Sequence, residues 1–267
     1  EQVAVTTVDQ EDGAQNIFIG TGQTLVVGGN TSKLSVVGNP YDVTRFEVAL
    51  SAGSFTSITS DYITGGVLGG SLDFRKDMLD PAQNALGRVA IGLADTFNEQ
   101  HQLGQDLKGI LGQDFFNTLD SISPRVFSTS AATLTASVSD ANALTTSDYR
   151  LDFDGANYTL IRLTDNAIIS SVAFGAFPQT IASEGLTLTL TAGAVAGDSF
   201  LIQPTRGGAK DIAVVTTDPT RVALASPLRT SEAVNANGQP VNLGTGKIST
   251  GTVTNTTPAS ATLRVGS

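Results

Sequence analysis

Apolar positions along this chain follow two periods. Over most of its length, short β-prone runs alternate with turn clusters: Ile17-Phe18-Ile19, then Gly20-Thr21-Gly22, then Leu25-Val26-Val27, then Gly28-Gly29-Asn30. Such runs joined by glycine-rich turns predict β-hairpins. Arg45 to Leu50 and Phe55 to Thr59 read as a further strand pair, turned around Ser51 to Ser54. Later, Tyr149, Leu151 and Phe153 alternate with Arg150 and Asp152, the period of a half-buried strand. Asp154-Gly155-Ala156-Asn157 then turns the chain into Tyr158 to Leu163. Leu186, Leu188 and Leu190 alternate with threonines, Gly197-Asp198 makes the next turn, and Phe200-Leu201-Ile202 and Ile212 to Val215 supply more strands. Short strands separated by regular turns predict an antiparallel sandwich or barrel-like domain.

One segment has the other period. In the stretch from Gly70 to Gly104, Asp80 stands as an N-cap, Pro81 as the first helical residue and Gln83 as the partner of a capping box. A short turn of helix around Leu72 to Leu79 precedes it. Beyond Asp80, the residues Ala82, Leu86, Val89, Ala90, Leu93 and Phe97 fall within an arc of roughly 100°, the width of a core-facing stripe. The opposite side carries Asn84, Arg88 and Asp95 but also Ile91, and the interior holds Gly87 and Gly92. Each glycine costs about 1 kcal/mol relative to alanine, so keeping two predicts close backbone neighbours on more than one side, as in a bundle. No second long segment of this period exists to supply them. The connector from Gly104 to Pro124 is expected to pack Phe115 and Phe116 on the helix.

The predicted class is therefore α+β and mainly β, with β-hairpins and one long amphipathic helix followed by an antiparallel β-sandwich or barrel-like domain. A boundary near Ser123-Pro124 divides hairpins and helix (1–124) from the β-domain (125–267). Residues 228–267 read as a linker or the start of a further domain, and the Thr/Ser/Gly-rich tail from Thr245 to Ser260 also reads as an edge strand.

Composition narrows the class. The 267 residues are 40% hydrophobic, enough for one large or two ordinary cores, and 28 glycines with 9 prolines are near average usage and lack a collagen period. With 25 acidic against 15 basic residues the net charge is −10, which opposes binding to a phosphate backbone. Nucleic acid is not an expected partner. There are 0 cysteines, so disulfides, thiolate metal sites and a thiol nucleophile are excluded. No apolar run is long enough to cross a membrane as a helix. The first residues, EQVAVTTVDQ, carry neither an initiator methionine nor a signal peptide, and Glu1 is expected to be internal to a longer polypeptide.

Candidate chemistry is sparse. His101 is the one histidine, which excludes a histidine metal cluster and leaves a Ser-His-Asp site dependent on it alone. Near a helix end its imidazole is expected to be solvated or to face the last carbonyls. Asp73, Asp77 and Asp80 suggest paired carboxylates, but a capping role and solvation account for them. Asp9 to Gly13 superficially matches a calcium loop, yet position 19 is Ile where a bidentate glutamate is required, and a hairpin turn is the better account. Gly20-Thr21-Gly22 and Gly244-Thr245-Gly246-Lys247 fail as phosphate loops. Sequons at Asn30, Asn157 and Asn255 are treated as chance matches. No catalytic, cofactor or metal residues are predicted.

The block Gly69-Gly70-Ser71-Leu72-Asp73-Phe74-Arg75, continuing through Leu79-Asp80-Pro81 and Leu86-Gly87-Arg88 to Ala94-Asp95-Thr96-Phe97-Asn98, resembles the central region of the flagellar hook-associated protein 1 family. Tyr149 to Leu163, Gly197-Asp198-Ser199-Phe200 with Gln203-Pro204-Thr205-Arg206, and the hairpin start at Ile17 to Val26 are similar in the same order, covering at least residues 10 to 225. The resemblance implies a secreted, extracellular structural component of the bacterial flagellum at the hook–filament junction, without catalysis. Implied partners are hook protein, other hook-associated proteins and its own copies in a ring, with the export apparatus and a chaperone engaged through terminal regions. In that family N- and C-terminal helices bundle with the central helix. This chain then reads as a core fragment lacking both, with a helix-bundle interface at Leu86, Val89, Ala90, Ile91, Leu93 and Phe97 and part of the Asp80 to Leu103 helix exposed. The alternative class is a surface adhesin or phage-tail-like β-domain protein.

Overall fold

Glycine turns between apolar runs produce the first sheets. The computed structural model describes residues 2–11, 13–42, 45–53, 55–127, 130–226 and 234–241; most of the expected linker at 228–267, including the tail from Thr245 and Asn255, lies outside them. Strands β1 (Val5–Asp9), β2 (Gln15–Ile19), β3 (Gln23–Val27) and β4 (Asn30–Thr31) pair antiparallel in chain order. The run tested as a calcium loop is the β1–β2 turn, where the Gln10 N–H donates to the Ala14 carbonyl. At the β2–β3 turn only glycine fits, because a Cβ on Gly20 would stand 1.8 Å from the Tyr62 carbonyl oxygen. A second meander, β5 (Lys33–Gly38), β6 (Phe46–Ala52) and β7 (Phe55–Ile58), follows as a three-stranded sheet.

The helical region is continuous from residue 66 to 102: α1 (Gly66–Phe74), one π turn (Arg75–Leu79) and α2 (Asp80–Gln102). This corrects the expected start at Asp80. An N-cap needs non-helical dihedrals, and Asp80 is helical at φ −63, ψ −47. The helix begins instead at Gly66, where the Gln2 carbonyl accepts the Leu68 N–H at 3.0 Å and so satisfies a free donor of the first turn. Pro81 is then a helix-interior proline, whose ring would press on the Asp77 carbonyl in a regular helix. The π turn just before it, closed by the Asp80 N–H bonding five residues back to Arg75, is the widening that admits the ring.

The remaining strands form two antiparallel sheets. They are β8 (Ser121–Ile122), β9 (Arg125–Phe127), β10 (Leu134–Val138), β11 (Tyr149–Phe153), β12 (Asn157–Arg162), β13 (Ala167–Ala173), β14 (Gln179–Ser183), β15 (Leu186–Leu190) and β16 (Ser199–Ile202). Their orders are β14-β15-β10-β8 and β13-β12-β11-β16-β9, and neither closes, so the barrel alternative falls. Period-2 burial is strict where it was legible: Tyr149, Leu151 and Phe153 in β11, and Leu186, Leu188 and Leu190 in β15, are all buried. Leu134, Ala136, Tyr158, Leu160, Ile181, Phe200 and Ile202 complete that core. The expected strand at Ile212 to Val215 is reduced to a single bridge, Val214 to Phe116. Its backbone is engaged by the Asn117 side chain, which accepts the Ala213 N–H and donates to the Asp211 carbonyl. It follows the single-turn helix α3 (Gly208–Asp211).

By contact density the chain divides into two compact units, residues 1–89 with 120–210 and residues 90–119 with 211–267. The first holds the four sheets. The second holds the C-terminal part of α2, the connector with Phe115 and Phe116, and the returning segment that includes Ala223.

Candidate assembly surface on the long helix

The helix packs through its polar and small residues. Asn84, Gly87, Ala90, Ile91, Ala94, Asn98 and His101 are buried, on a 3–4 spacing that marks one face. A Cβ on Gly87 would stand 1.6 Å from the Thr205 carbonyl oxygen, so this glycine is where another backbone lies directly on the helix. The Asn84 amide donates to the Thr146 carbonyl and to Asp148, each at 3.0 Å. Asn98 accepts the N–H groups of Phe115 and Phe116 and donates to the Phe116 carbonyl, all at 2.9 Å. The chain laid on this face is irregular, and irregular backbone must find hydrogen-bond partners when buried. Asparagines provide them and leucines cannot.

An alternating ion chain fixes the helix at its π turn. Arg75 pairs with Glu47 at 2.8 Å, Glu47 with Arg45 at 3.2 Å, Arg45 with Asp80 at 2.8 Å, Asp80 with Arg206 at 2.8 Å and Arg206 with Asp148 at 2.9 Å. Asp80 is thus a salt-bridge hub and no cap. Burial pushes the Glu47 carboxyl up, but hydrogen bonds from Ser60 and Asn39 and the Arg75 guanidinium outweigh it and hold the group below the usual range.

The apolar stripe is the side left over. Leu86 is 63% exposed, Val89 68%, Leu93 52% and Phe97 36%. Phe74 and Met78 are likewise exposed on the preceding turns. The stripe is therefore not filled by the chain itself, and the expected exposure of part of the Asp80 to Leu103 helix is what the structure has. Of the six residues named from sequence, Ala90 and Ile91 are buried against the chain itself, so neither is available to an outside partner. The two glycines also separate: Gly87 receives a backbone, while Gly92 faces open space. Phe97 is covered in part by Phe115 and Phe116, at ring distances of 4.9 and 5.4 Å, which is the packing expected of the connector.

Residues 1–116 match the family model described as the flagellar hook-associated protein FlgK helical domain, and residues 125–204 match the D2-like domain of flagellar hook-associated protein 1. Flagellar hook-associated protein 1 of Salmonella typhimurium is 34% identical over 250 residues, 89% of this chain and 44% of that protein. The chain belongs to the flagellar hook-associated protein 1 family. Its counterpart in Escherichia coli is 32% identical over 243 residues, with the same coverage. A solved structure, the flagellar hook junction protein FlgK from Burkholderia pseudomallei, superposes with a TM-score of 0.74 at 34% identity, over 84% of this chain and 42% of that one. The chain therefore spans less than half the length of these family members. None of these matches supports the adhesin or phage-tail reading.

The mainly β architecture with one long helix is that of the family. Within that frame, the residues weighed as chemistry have other tasks. Asp73 and Asp77 are exposed, and among the described residues no group of three His, Cys, Asp or Glu is placed to hold a metal ion. No helix among them is long and apolar enough to cross a membrane. His101 is the largest departure: expected at the solvated helix end, it is 3% exposed and bonded through both ring nitrogens. The residues that sequence reading missed are the polar anchors Asn84 and Asn98. Their 3–4 spacing with Gly87, Ile91 and Ala94 was available, but hydrophobic periodicity gives no weight to polar positions.

Proposed function

We propose that this chain is a structural part of the bacterial flagellum, located outside the cell at the junction of hook and filament, and acting by subunit assembly without catalysis. Residues 1–124 form its axial side and the β-domain from 125 its outer part. Its partners are hook protein, other hook-associated proteins and further copies of itself in a ring, with export through the flagellar channel and a chaperone acting on regions outside this segment. The observation that carries the reading is the exposed stripe Leu86, Val89, Leu93 and Phe97 on a helix whose other face is already filled. Exposed apolar residues at successive spacings of three and four are what a helical partner covers in a bundle, and family members are more than twice as long as this chain, so the occupant proposed is helical chain from the rest of the protein.

The test is a deletion strain complemented with the full-length protein, either unaltered or carrying Leu86→Gln, Val89→Gln and Leu93→Gln together. Deletion should leave hooks present, filaments absent and flagellin shed into the medium. The unaltered protein should restore filaments and the triple variant should fail. Normal filaments in the deletion strain would refute the junction role, and full rescue by the triple variant would refute the stripe as its contact.

A further inference from the structure

The one histidine is buried near the end of α2 and bonded through both ring nitrogens. The Ala223 N–H reaches Nε2 of His101 at 2.9 Å, and a backbone N–H can only donate, so Nε2 carries the lone pair. The ring proton therefore sits on Nδ1, where it is donated to the Gln113 carbonyl. His101 is a neutral imidazole gripping two separate segments of backbone. The grip is close on every side: a Cβ on Gly104 would stand 2.1 Å from the Ala223 carbonyl oxygen, and one on Gly112 would stand 2.7 Å from the Ala223 Cβ. The rings of Phe97 and Phe115 flank the imidazole at 6.1 and 5.6 Å.

The surrounding charges are occupied with one another. On α2, Gln102 bonds Asp114 of the connector. From the connector Asp106 takes Arg221 of the returning segment at 3.1 Å, and Lys108 takes Asp218 at 3.6 Å. Both ring nitrogens face backbone groups, so neither is paired with a carboxylate that would favour the charged ring. A proton added at Nε2 points at the Ala223 N–H, setting donor against donor in a site closed to water.

We propose that His101 is a proton-operated latch: neutral, it holds the 220–225 segment on the end of α2, and on taking up a proton it lets that segment open. The segment's other ties are the Arg221 and Asp106 ion pair, the Leu107 N–H to the Thr220 carbonyl and the paired Gln105 and Ala225 backbone bonds, none of which involves Ala223 itself, so the opening is read at Ala223. Phe97 stacks on the same ring and ends the exposed stripe, which places the latch beside the proposed assembly surface. The latch needs nothing from the flagellar reading, and the two fail separately.

Hydrogen exchange of the 267-residue chain, compared between pH 7.5 and 5.0 after correction for the intrinsic pH dependence of exchange, reads the latch directly. Protection of the Ala223 amide should fall by up to about tenfold per pH unit once the ring titrates, one proton being linked to opening. Amides of β11 and β15 should not change. His101→Gln offers an oxygen to Ala223 and an N–H to Gln113 but no proton to gain, so its protection should be independent of pH. Ring ¹⁵N shifts give a second readout in the unaltered chain: an Nδ1–H tautomer at pH 7.5, and titration coincident with the shift of the Ala223 amide. Constant Ala223 protection across this range overturns the latch, as does the same pH dependence in His101→Gln or ring titration with no response at Ala223.

Discussion

Gly87 and Gly92 lie one and a half turns apart on α2 and look equivalent in sequence, yet their surroundings give them opposite roles. At Gly87 a methyl group would need the space of the Thr205 carbonyl oxygen, 1.6 Å away. Gly87→Ala should destabilise the chain by about 2 kcal/mol or more through forced backbone displacement. Gly92 is open to solvent, so Gly92→Ala removes only the entropic penalty of a helical glycine and should stabilise by about 0.5–1 kcal/mol. Urea unfolding of both variants checks the pair; equal effects of one sign would contradict the assignment of faces. Glycine is legible in a sequence as a cost, but what occupies the vacated space is a tertiary fact.

At the scale of the element, α2 is a helix with two faces of different chemistry. The rear face binds irregular backbone through Asn84, Asn98 and His101, and the front face holds the exposed leucines and valine. Polar replacement on the front should therefore matter little to this chain: Leu86→Gln, Val89→Gln and Leu93→Gln should each change unfolding free energy by no more than about 0.5 kcal/mol. Asn98→Ala strips the partner from two backbone N–H groups at once and should cost about 2–4 kcal/mol. Calorimetric melting separates the two outcomes, and a large loss from the leucine variants would mean that the stripe is covered by the chain itself. Existence, length and amphipathicity of the helix were legible because side-chain period reports backbone geometry. Its start was not, since Asp80-Pro81 carries every local sign of an N-terminus and only the π turn and the arginines from Arg45 and Arg206 make it an interior position.

Across the whole molecule, charges distant in sequence are brought into one alternating chain from Arg75 through Glu47, Arg45, Asp80 and Arg206 to Asp148. Removing Arg206 takes one cation from Asp80, which keeps Arg45, and leaves Asp148 with only the amides of Asn84 and Gln203, so Arg206→Met should cost about 1–3 kcal/mol. The chain is also acid-sensitive. Because Glu47 is held below its usual range in the folded state, its stabilising contribution is complete above the unfolded value of about 4.3 and is lost as pH falls through the lower folded value. The stability difference between the unaltered protein and Glu47→Gln should thus shrink from pH 5 to pH 3; a constant difference would exclude the ion chain as its source. The hairpins, β11, β12, β15, β16 and the long helix were determined by the sequence alone, because alternation, turn glycines and helical period are local consequences of backbone geometry. So was the family resemblance, carried by contiguous motifs. The tertiary structure alone decided which helix face is filled, that Asp80 is a hub, that His101 is buried and that Ile212 to Val215 joins no sheet. Each of these depends on where distant backbone comes to lie, and backbone that must be hydrogen-bonded selects polar side chains that no hydrophobic pattern can reveal.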